Sequence, residues 1–184
     1  ASIRRRRPDV VIVATGGEPV LPPVHGVDNE AVVLARDVLL GLVNTGNKVL
    51  VVGGGLVGVN VAEFLATQER QVTVIETLDV IGADMLTGRR YWVMKTLEER
   101  RVGLFTGTRL AEIESGTVYV ERDGTRESLG KFDSIVIAVG YQPTGGQHAE
   151  IRQYVPEVYI VGDAVQCRSA VEAIYEGAAI ARVI

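Results

Sequence analysis

The chain has 184 residues, 47% of them hydrophobic, which is enough to bury the core of one domain and part of a second. Its formal net charge of -4 gives no general attraction to nucleic acid or to an anionic membrane, and we expect neither partner. There is no uninterrupted apolar stretch of the roughly 18 residues that a membrane span needs, and no signal-peptide pattern. We therefore predict a cytoplasmic protein.

The sequence contains one cysteine, Cys167, and two histidines, His25 and His148. A single thiol excludes a disulfide or a redox pair of cysteines within this chain. The histidines are far apart and have no cysteine partner, so we expect neither a zinc site nor an iron–sulfur site here. No side chain has the pattern of a general acid or a nucleophile, and we predict no catalytic residue.

The N-terminal part of the chain predicts three short elements. Four arginines at residues 4–7 could form a polyanion patch or a targeting signal, but we favour a solvated helix end. Residues 9–14 are an apolar run that stops at Thr-Gly-Gly, residues 15–17, which is typical of a buried parallel strand ending in a glycine turn. After a proline-containing loop, we predict a short strand over 31–35 and a short helix over 36–41.

The middle of the chain has the pattern of a dinucleotide-binding βαβ unit. An apolar strand over 48–52 runs into Gly-Gly-Gly-Leu-Val-Gly at 53–58. A helix is predicted over 56–68, and a second strand over 71–76 ends in an acid. A bare glycine motif is weak evidence, but a strand before it, a helix after it and the downstream acid make coincidence improbable.

The glycines and the acid of this unit predict how it binds a nucleotide. Gly53 permits a tight turn, Gly55 lets the backbone approach a pyrophosphate, and Gly58 allows the helix to pack closely on the strand. Glu76 lies at the tip of the second strand, where an acid accepts hydrogen bonds from the adenosine ribose and repels a 2′-phosphate. We therefore predict NAD(H) rather than NADP(H), since no basic residue adjoins Glu76.

The next segment predicts a helix and four strands. The helix extends over 87–100, and a third parallel strand lies at 104–105. Three short runs separated by turn residues, 108–113, 117–121 and 126–129, predict an antiparallel meander.

The C-terminal part of the chain returns to the pattern with which the chain began. Residues 133–140 repeat the pattern of residues 9–16, an apolar run followed by a small-residue turn. A further strand over 158–161 ends at Gly-Asp-Ala, residues 162–164, and a helix is predicted from Ser169 to the C-terminus. This order predicts one domain inserted into another, with the outer domain incomplete.

Four motifs in this order resemble the two-dinucleotide-binding flavoproteins of the pyridine nucleotide–disulfide oxidoreductase superfamily. They are Ala-Thr-Gly-Gly at 14–17, the glycine motif at 53–58, Ala-Val-Gly-Tyr-Gln-Pro at 138–143 and Tyr-Ile-Val-Gly-Asp-Ala at 159–164. The tail over 162–177 is similar to the C-terminal region of NADH:flavin oxidoreductases of the 2,4-dienoyl-CoA reductase and old-yellow-enzyme-linked group.

The resemblance implies an α/β fold. A Rossmann-like βαβ NAD-binding domain with an antiparallel β-meander, residues 44–132, would be inserted into an incomplete FAD-binding α/β domain. The outer domain would consist of residues 1–43, including a linker, and residues 133–184. The motif that binds the ADP half of FAD in the family does not occur in residues 1–8. We therefore expect a C-terminal piece of a larger flavoenzyme, whose missing upstream part would hold the first flavin motif, FMN and an iron–sulfur cluster.

The resemblance also implies a set of cofactor-binding residues. Those that would contact NAD(H) are Gly53, Gly55, Leu56, Val57, Gly58, Asn60, Glu76 and Gly140. Those that would contact FAD are Thr15, Gly16, Gly162, Asp163 and Ala164. Of these, Asn60 stands where the family has an acid, and Asp163, taken without the family, is a candidate helix N-cap.

The function implied by the resemblance is hydride transfer from NADH to FAD, followed by electron passage toward an iron–sulfur centre, FMN and an unsaturated, enoyl-type substrate. One alternative is a non-catalytic NAD(H)-sensing module, which would need neither the motif at 162–164 nor the turn at 141–143. A second alternative is part of a disulfide reductase, although Cys167 has no partner in this chain.

The incomplete outer domain predicts self-association. Strands over 10–14, 135–139 and 158–161 would have lost part of their covering layer and would expose an apolar face. We therefore expect a homodimer or a swapped outer sheet.

Overall fold

The computed structural model describes residues 2–184, without the side chains of Ser2 and Gln147. The helices are α1 Ser2–Arg6, α2 Ala35–Leu39, α3 Leu56–Thr67, α4 Thr87–Glu99, α5 His148–Ile151 and α6 Ala170–Ile180. The strands are β1 Val10–Val13, β2 Gly17–Pro19, β3 Val32–Leu34, β4 Lys48–Val52, β5 Gln71–Ile75, β6 Gly103–Phe105, β7 Thr108–Glu114, β8 Thr117–Arg122, β9 Thr125–Lys131, β10 Ser134–Ile137, β11 Tyr141–Pro143 and β12 Glu157–Ile160. No helix in this described part is long and apolar enough to cross a membrane.

The chain forms two compact units. The inner unit is Leu21–Gly140, and the outer unit is formed by the residues up to Val20 together with Tyr141–Ile184. The inner unit contains a five-stranded sheet in the order β3-β10-β4-β5-β6 and a separate three-stranded sheet, β7-β8-β9. All pairs in the larger sheet are parallel, and the smaller sheet is the predicted antiparallel meander. The predicted α/β class with a Rossmann-like parallel sheet is therefore confirmed.

The parallel sheet of the inner unit is buried on both faces. Successive side chains of a strand point to opposite faces, so Val49 and Val51 of β4 pack in one cluster and Leu50 and Val52 in another. The first cluster also contains residues of α2, α3 and α4, and the second contains residues of the meander. Two covered faces explain why the sequence shows continuous apolar runs here rather than alternation.

The outer unit contains two small sheets. Strands β1 and β12 are parallel, and β2 and β11 are antiparallel. The helix predicted from Ser169 is α6; Ser169 is its N-cap, in a capping box with Glu172, and the helix ends at Ile180 rather than at the C-terminus. Arg4, Arg5 and Arg6 of the arginine run form the exposed end of α1, as predicted, and Arg7 follows the helix.

The structure corrects the predicted division of the chain. We assigned residues 133–184 to the outer domain, but β10 lies between β3 and β4 in the sheet of the inner unit. The units divide at Leu21 and Gly140 rather than at residues 44 and 133. Residues 9–16 and 133–140 share a pattern because both contain an apolar parallel strand. Such a pattern does not indicate to which sheet a strand belongs.

This correction also removes part of the predicted exposed face. Ile135 and Val136 of β10 are completely buried. In the outer unit, by contrast, Ile12 of β1 is 41% exposed, and none of the residues of α6 is buried. The expected homodimer therefore stays a prediction that depends on the outer unit alone.

Candidate functional site

The glycine motif forms a tight turn between β4 and α3. Gly53 has φ +104°, a conformation that side-chain-bearing residues rarely adopt, and a Cβ there would lie 2.5 Å from the carbonyl oxygen of Ala138. A Cβ at Gly58 would lie 1.8 Å from the carbonyl oxygen of Gly53. Glycine is required at Gly53 because of its positive φ and the nearby Ala138 carbonyl, and at Gly58 because the start of α3 packs directly against the turn.

The N-terminus of α3 opens next to this turn. Gly55 is the N-cap residue, and its lack of a side chain leaves the first amides of the helix without a cap of their own. The Leu56 amide instead donates a 2.8 Å hydrogen bond to Oδ1 of Asp84. A helix N-terminus carries a partial positive charge and free N–H groups, so this position suits an anion.

Glu76 follows β5 and is bound by the surrounding backbone. Its Oε2 accepts a 2.6 Å hydrogen bond from the Gly54 amide, and its Oε1 accepts 2.9 Å bonds from the Leu78 amide and the Thr77 hydroxyl. Burial raises the pKa of this carboxyl, but the hydrogen bonds from Leu78, Gly54 and Thr77 together outweigh burial, and the net pKa is lowered. Glu76 is therefore an anion in a fixed position.

These elements enclose a cleft of about 380 Å³ at the carboxyl ends of the parallel strands. It is lined by Val52, Gly53, Gly55, Leu56, Val57, Ile75, Glu76, Thr77, Leu78, Asp84, Thr108, Leu110, Ala138, Val139 and Gly140. The carboxyl edge of an open parallel sheet is where nucleotides bind in such folds. Six residues that we proposed for NAD(H) are brought together here, namely Gly53, Gly55, Leu56, Val57, Glu76 and Gly140.

Two of the predicted residues are not in the lining of this cleft. Gly58 is buried and acts through helix packing. Asn60 lies on α3 with its Oδ1 accepting a 3.3 Å hydrogen bond from Arg89 of α4. The structure thus places the Asn60 side chain at a contact between two helices rather than in the cleft.

Sequence reasoning missed several residues of the cleft. Asp84 and Leu78 belong to the loop between β5 and α4, which has no periodic pattern to interpret. Thr108 and Leu110 come from β7 of the meander, which we treated as a separate feature. Contacts between elements far apart in the sequence give no local signal, so only the fold could identify these residues.

The residues proposed for FAD lie at the ends of neighbouring strands in the outer unit. Gly16 follows β1 and Gly162 follows β12, and these two strands are adjacent and parallel. Both glycines have positive φ, +75° and +64°, and a Cβ at Gly16 would meet no atom within 4 Å. The Thr15 carbonyl and hydroxyl oxygens are both 3.2 Å from the Thr144 hydroxyl. Ala164 is buried.

Asp163 is held by the chain that follows it. Its Oδ1 accepts a 3.1 Å hydrogen bond from the Arg168 amide, while Ser169 caps α6, so Asp163 is not the helix N-cap. Glu176 accepts a 2.7 Å bond from the Gly162 amide and pairs with the Arg168 side chain. The hydrogen bond from Arg168, and then that from Gly162, lowers the pKa of Glu176.

The cysteine and the histidines show no catalytic arrangement. Burial, and then the charge of Asp163, raises the pKa of the Cys167 thiol, which disfavours the nucleophilic thiolate. His25 Nδ1 lies 3.2 Å from Glu112, and His148 Nδ1 lies 2.8 Å from the Gly145 carbonyl oxygen. Across residues 2–184, no group of His, Cys, Asp or Glu has the geometry of a metal site.

Comparisons with known proteins find relatives over most of the chain. The pattern of the pyridine nucleotide-disulphide oxidoreductase family matches residues 5–177. An NADH oxidase of Thermoanaerobacter brockii is 33% identical over 176 residues, which cover 92% of this chain and 27% of that protein. A bilirubin reductase of Mediterraneibacter gnavus is 34% identical over 161 residues, covering 88% of this chain and 25% of that protein.

A solved structure gives the same result for the fold. The complex of 2-naphthoyl-CoA reductase with 2-naphthoyl-CoA matches with a TM-score of 0.87 and 30% identity, over 96% of this chain and 27% of that one. The chain thus spans about a quarter of the length of these relatives.

The family implies NAD(H) and FAD as cofactors. The cleft fits NAD(H), because a glycine turn, the N-terminus of α3 and a fixed carboxylate line one cavity at the sheet edge. The fold, the cleft and the matched pattern lead to one conclusion: the chain belongs to the pyridine nucleotide-disulphide oxidoreductase family.

Proposed function

We propose that this chain is the NADH-binding portion of a flavin-dependent oxidoreductase that passes hydride from NADH to FAD and on to a further acceptor. The observation that carries the proposal is the cleft of the inner unit, in which the N-terminus of α3 and the carboxylate of Glu76 line one cavity. Two parts of a dinucleotide, the pyrophosphate and the adenosine ribose, need these two groups.

Five of the lining residues have a binding role in this proposal. The Leu56 and Val57 amides would donate to the pyrophosphate, and Gly55 leaves room for it. Glu76 would accept from the ribose hydroxyls through the lone pairs that its three hydrogen bonds leave free. Gly140 has φ +118° and no atom within 4 Å of a would-be Cβ, so it leaves open space for the nicotinamide half.

The chemistry itself would come from the cofactors, with bound NADH supplying a hydride that a bound flavin accepts. The chain would bind and orient the donor, and we assign none of its side chains an acid or base role. Thr15, Gly16, Gly162, Asp163 and Ala164 are our proposal for the FAD side. It is supported by their place at the ends of two adjacent parallel strands.

The further acceptor would lie outside the 184 residues of this chain. FMN, an iron–sulfur cluster and an enoyl-type substrate would belong to a longer protein. Support comes from the relatives, since one of them is a naphthoyl-CoA reductase and the chain covers 27% of it. A disulfide reductase remains the second candidate, because the family description includes disulphide oxidoreductases.

The test is calorimetric titration of the purified chain with NADH and, separately, with FAD. We expect micromolar NADH binding at one site per chain, and weaker or no binding of FAD, since its proposed contacts are few. Absence of NADH binding would overturn the proposal. Tight FAD binding without NADH binding would assign the chain to the flavin side instead.

A further inference from the structure

We propose that Asp84 is an internal competitor for the nucleotide pyrophosphate, so that its carboxylate must leave the N-terminus of α3 before NAD(H) binds. This inference rests on the proposed function, because it concerns the same cleft. In this inference Asp84 lowers the affinity for NAD(H), whereas the glycine motif and Glu76 bind the cofactor.

The contact geometry carries the first step. Asp84 Oδ1 accepts a 2.8 Å hydrogen bond from the Leu56 amide, the first amide of a 12-residue helix. A Cβ built on Gly55 would lie 3.2 and 3.5 Å from the two carboxylate oxygens. The carboxylate therefore lies over the backbone of Gly55 and Leu56, where glycine allows an anion to approach.

The chemistry of this position carries the second step. A carboxylate at a helix N-terminus satisfies the same N–H groups and the same partial charge that a phosphate would use. A phosphate placed there would meet the negative charge of Asp84 at short range and would find the Leu56 amide already bonded. The two anions therefore exclude each other.

The anchoring of the loop decides what has to move. Ile81 and Met85, on either side of Asp84, are buried in the core. The Gly82 amide donates a 2.6 Å hydrogen bond to the Gly54 carbonyl oxygen, and Arg90 Nε donates a 2.8 Å bond to that of Ile81. Because the backbone is held at these points and Asp84 is exposed, the side chain rotates toward solvent while the loop stays in place.

The test is titration of the full chain with NADH, using Asp84→Asn, Asp84→Ala and the control Asp79→Asn. Asp79 is an exposed acid of the same loop, so its variant makes the same charge change without touching the α3 amides. Asp84→Ala removes the competing charge-assisted acceptor, which corresponds to about tenfold tighter NADH binding. Asp84→Asn loses the charge but keeps an amide oxygen that can accept from Leu56, so we expect a smaller gain there. We expect a change of less than about twofold for Asp79→Asn.

Two further readouts separate the inference from the proposed function. Adenosine has no phosphate, so its binding, followed by NMR shifts, should not change in the Asp84 variants. Hydrogen exchange of the Leu56 amide should be faster in Asp84→Ala, because its acceptor is gone.

The outcomes are distinguishable. If wild type binds NADH and the Asp84 variants bind no tighter than Asp79→Asn, the inference is wrong and the proposed function stands. Weaker NADH binding in Asp84→Asn would make Asp84 a ligand of the nucleotide and would also overturn the inference. If neither wild type nor the Asp84 variants bind NADH, both fail. Unchanged Leu56 exchange in Asp84→Ala would show that the competing contact does not form.

Discussion

Glu76 combines a structural contact with the proposed recognition of the ribose. Its carboxylate accepts hydrogen bonds from Gly54, Thr77 and Leu78 and thereby connects the glycine turn to the loop that follows β5. A side chain held in this way binds a ligand without a further loss of rotamer entropy. Its anionic form has a direct consequence for stability.

The lowered pKa of Glu76 predicts a pH-dependent contribution to folding. A carboxyl whose pKa is lower in the folded state stabilises the fold above its unfolded pKa, near 4.5, and this contribution is lost as the pH falls through the folded pKa. We expect Glu76→Gln to lower the free energy of unfolding by about 1 kcal/mol at pH 7. The difference from wild type should shrink below pH 4.5.

Urea unfolding at several pH values measures this difference. The exposed Glu98→Gln variant, on α4, is the control and should show little effect at any pH. A Glu76→Gln deficit that stayed constant down to the acid range would contradict the lowered pKa.

At the scale of the element, the packing of α3 on the glycine turn is the closest approach within the glycine motif. Gly58→Ala would place a methyl group 1.8 Å from the Gly53 carbonyl oxygen, and the backbone would have to shift. We expect destabilisation by about 3 kcal/mol, with loss of NADH binding.

A matched variant isolates the effect of packing. Gly88 is in α4, where a Cβ would meet no atom within 4 Å, and Gly88→Ala should stabilise the chain by roughly 0.5 kcal/mol. Thermal unfolding of both variants measures the contrast. Equal effects at the two positions would show that α3 does not approach the turn as closely as described.

Helices and strands could be predicted from the sequence where the pattern of apolar residues extended over several residues. Helices α3 and α4 and the three strands of the meander occur within one or two residues of the predicted bounds. Strands β2, Gly-Glu-Pro, and β11, Tyr-Gln-Pro, were missed because neither contains an apolar run. The buried parallel strands were found, but the position of β10 in the sheet depends on long-range pairing.

The buried face of α3 shows the same limit within one helix. Phe64 lies at helical spacing from the buried Val61 and Leu65, but Phe64 is 39% exposed. Gly58, Ala62 and Ala66 are buried instead. The helix packs closely, so small residues lie at the contact, and a pattern that counts large apolar residues places the face incorrectly.

For the whole molecule, the division into two units predicts where binding is located. All residues that line the cleft belong to the inner unit, Leu21–Gly140. Both large hydrophobic clusters also belong to it. We expect a separately expressed inner unit to fold and to bind NADH within about twofold of the full chain. Calorimetry on both proteins tests this. A folded inner unit that did not bind NADH would place an essential contact in the outer unit.

The expected self-association concerns the outer unit. Val171, Ile174 and Tyr175 of α6 are each at least 70% exposed, and a helix surface of this kind favours contact between chains. We predict a dimer in sedimentation velocity at micromolar concentration, and a shift toward monomer in Ile174→Asp. A monodisperse wild-type monomer would contradict the prediction.

In our proposal, the cleft of the inner unit binds NADH through Glu76. The most direct test is a comparison of NADH and NADPH affinity for wild type, Glu76→Arg and the control Glu98→Arg. We predict that wild type and the control prefer NADH by at least about tenfold, because the Glu76 carboxylate repels the 2′-phosphate of NADPH. Glu76→Arg should lose this preference, because the arginine would pair with that phosphate. Equal affinities in wild type, or an unchanged preference in Glu76→Arg, would contradict the claim.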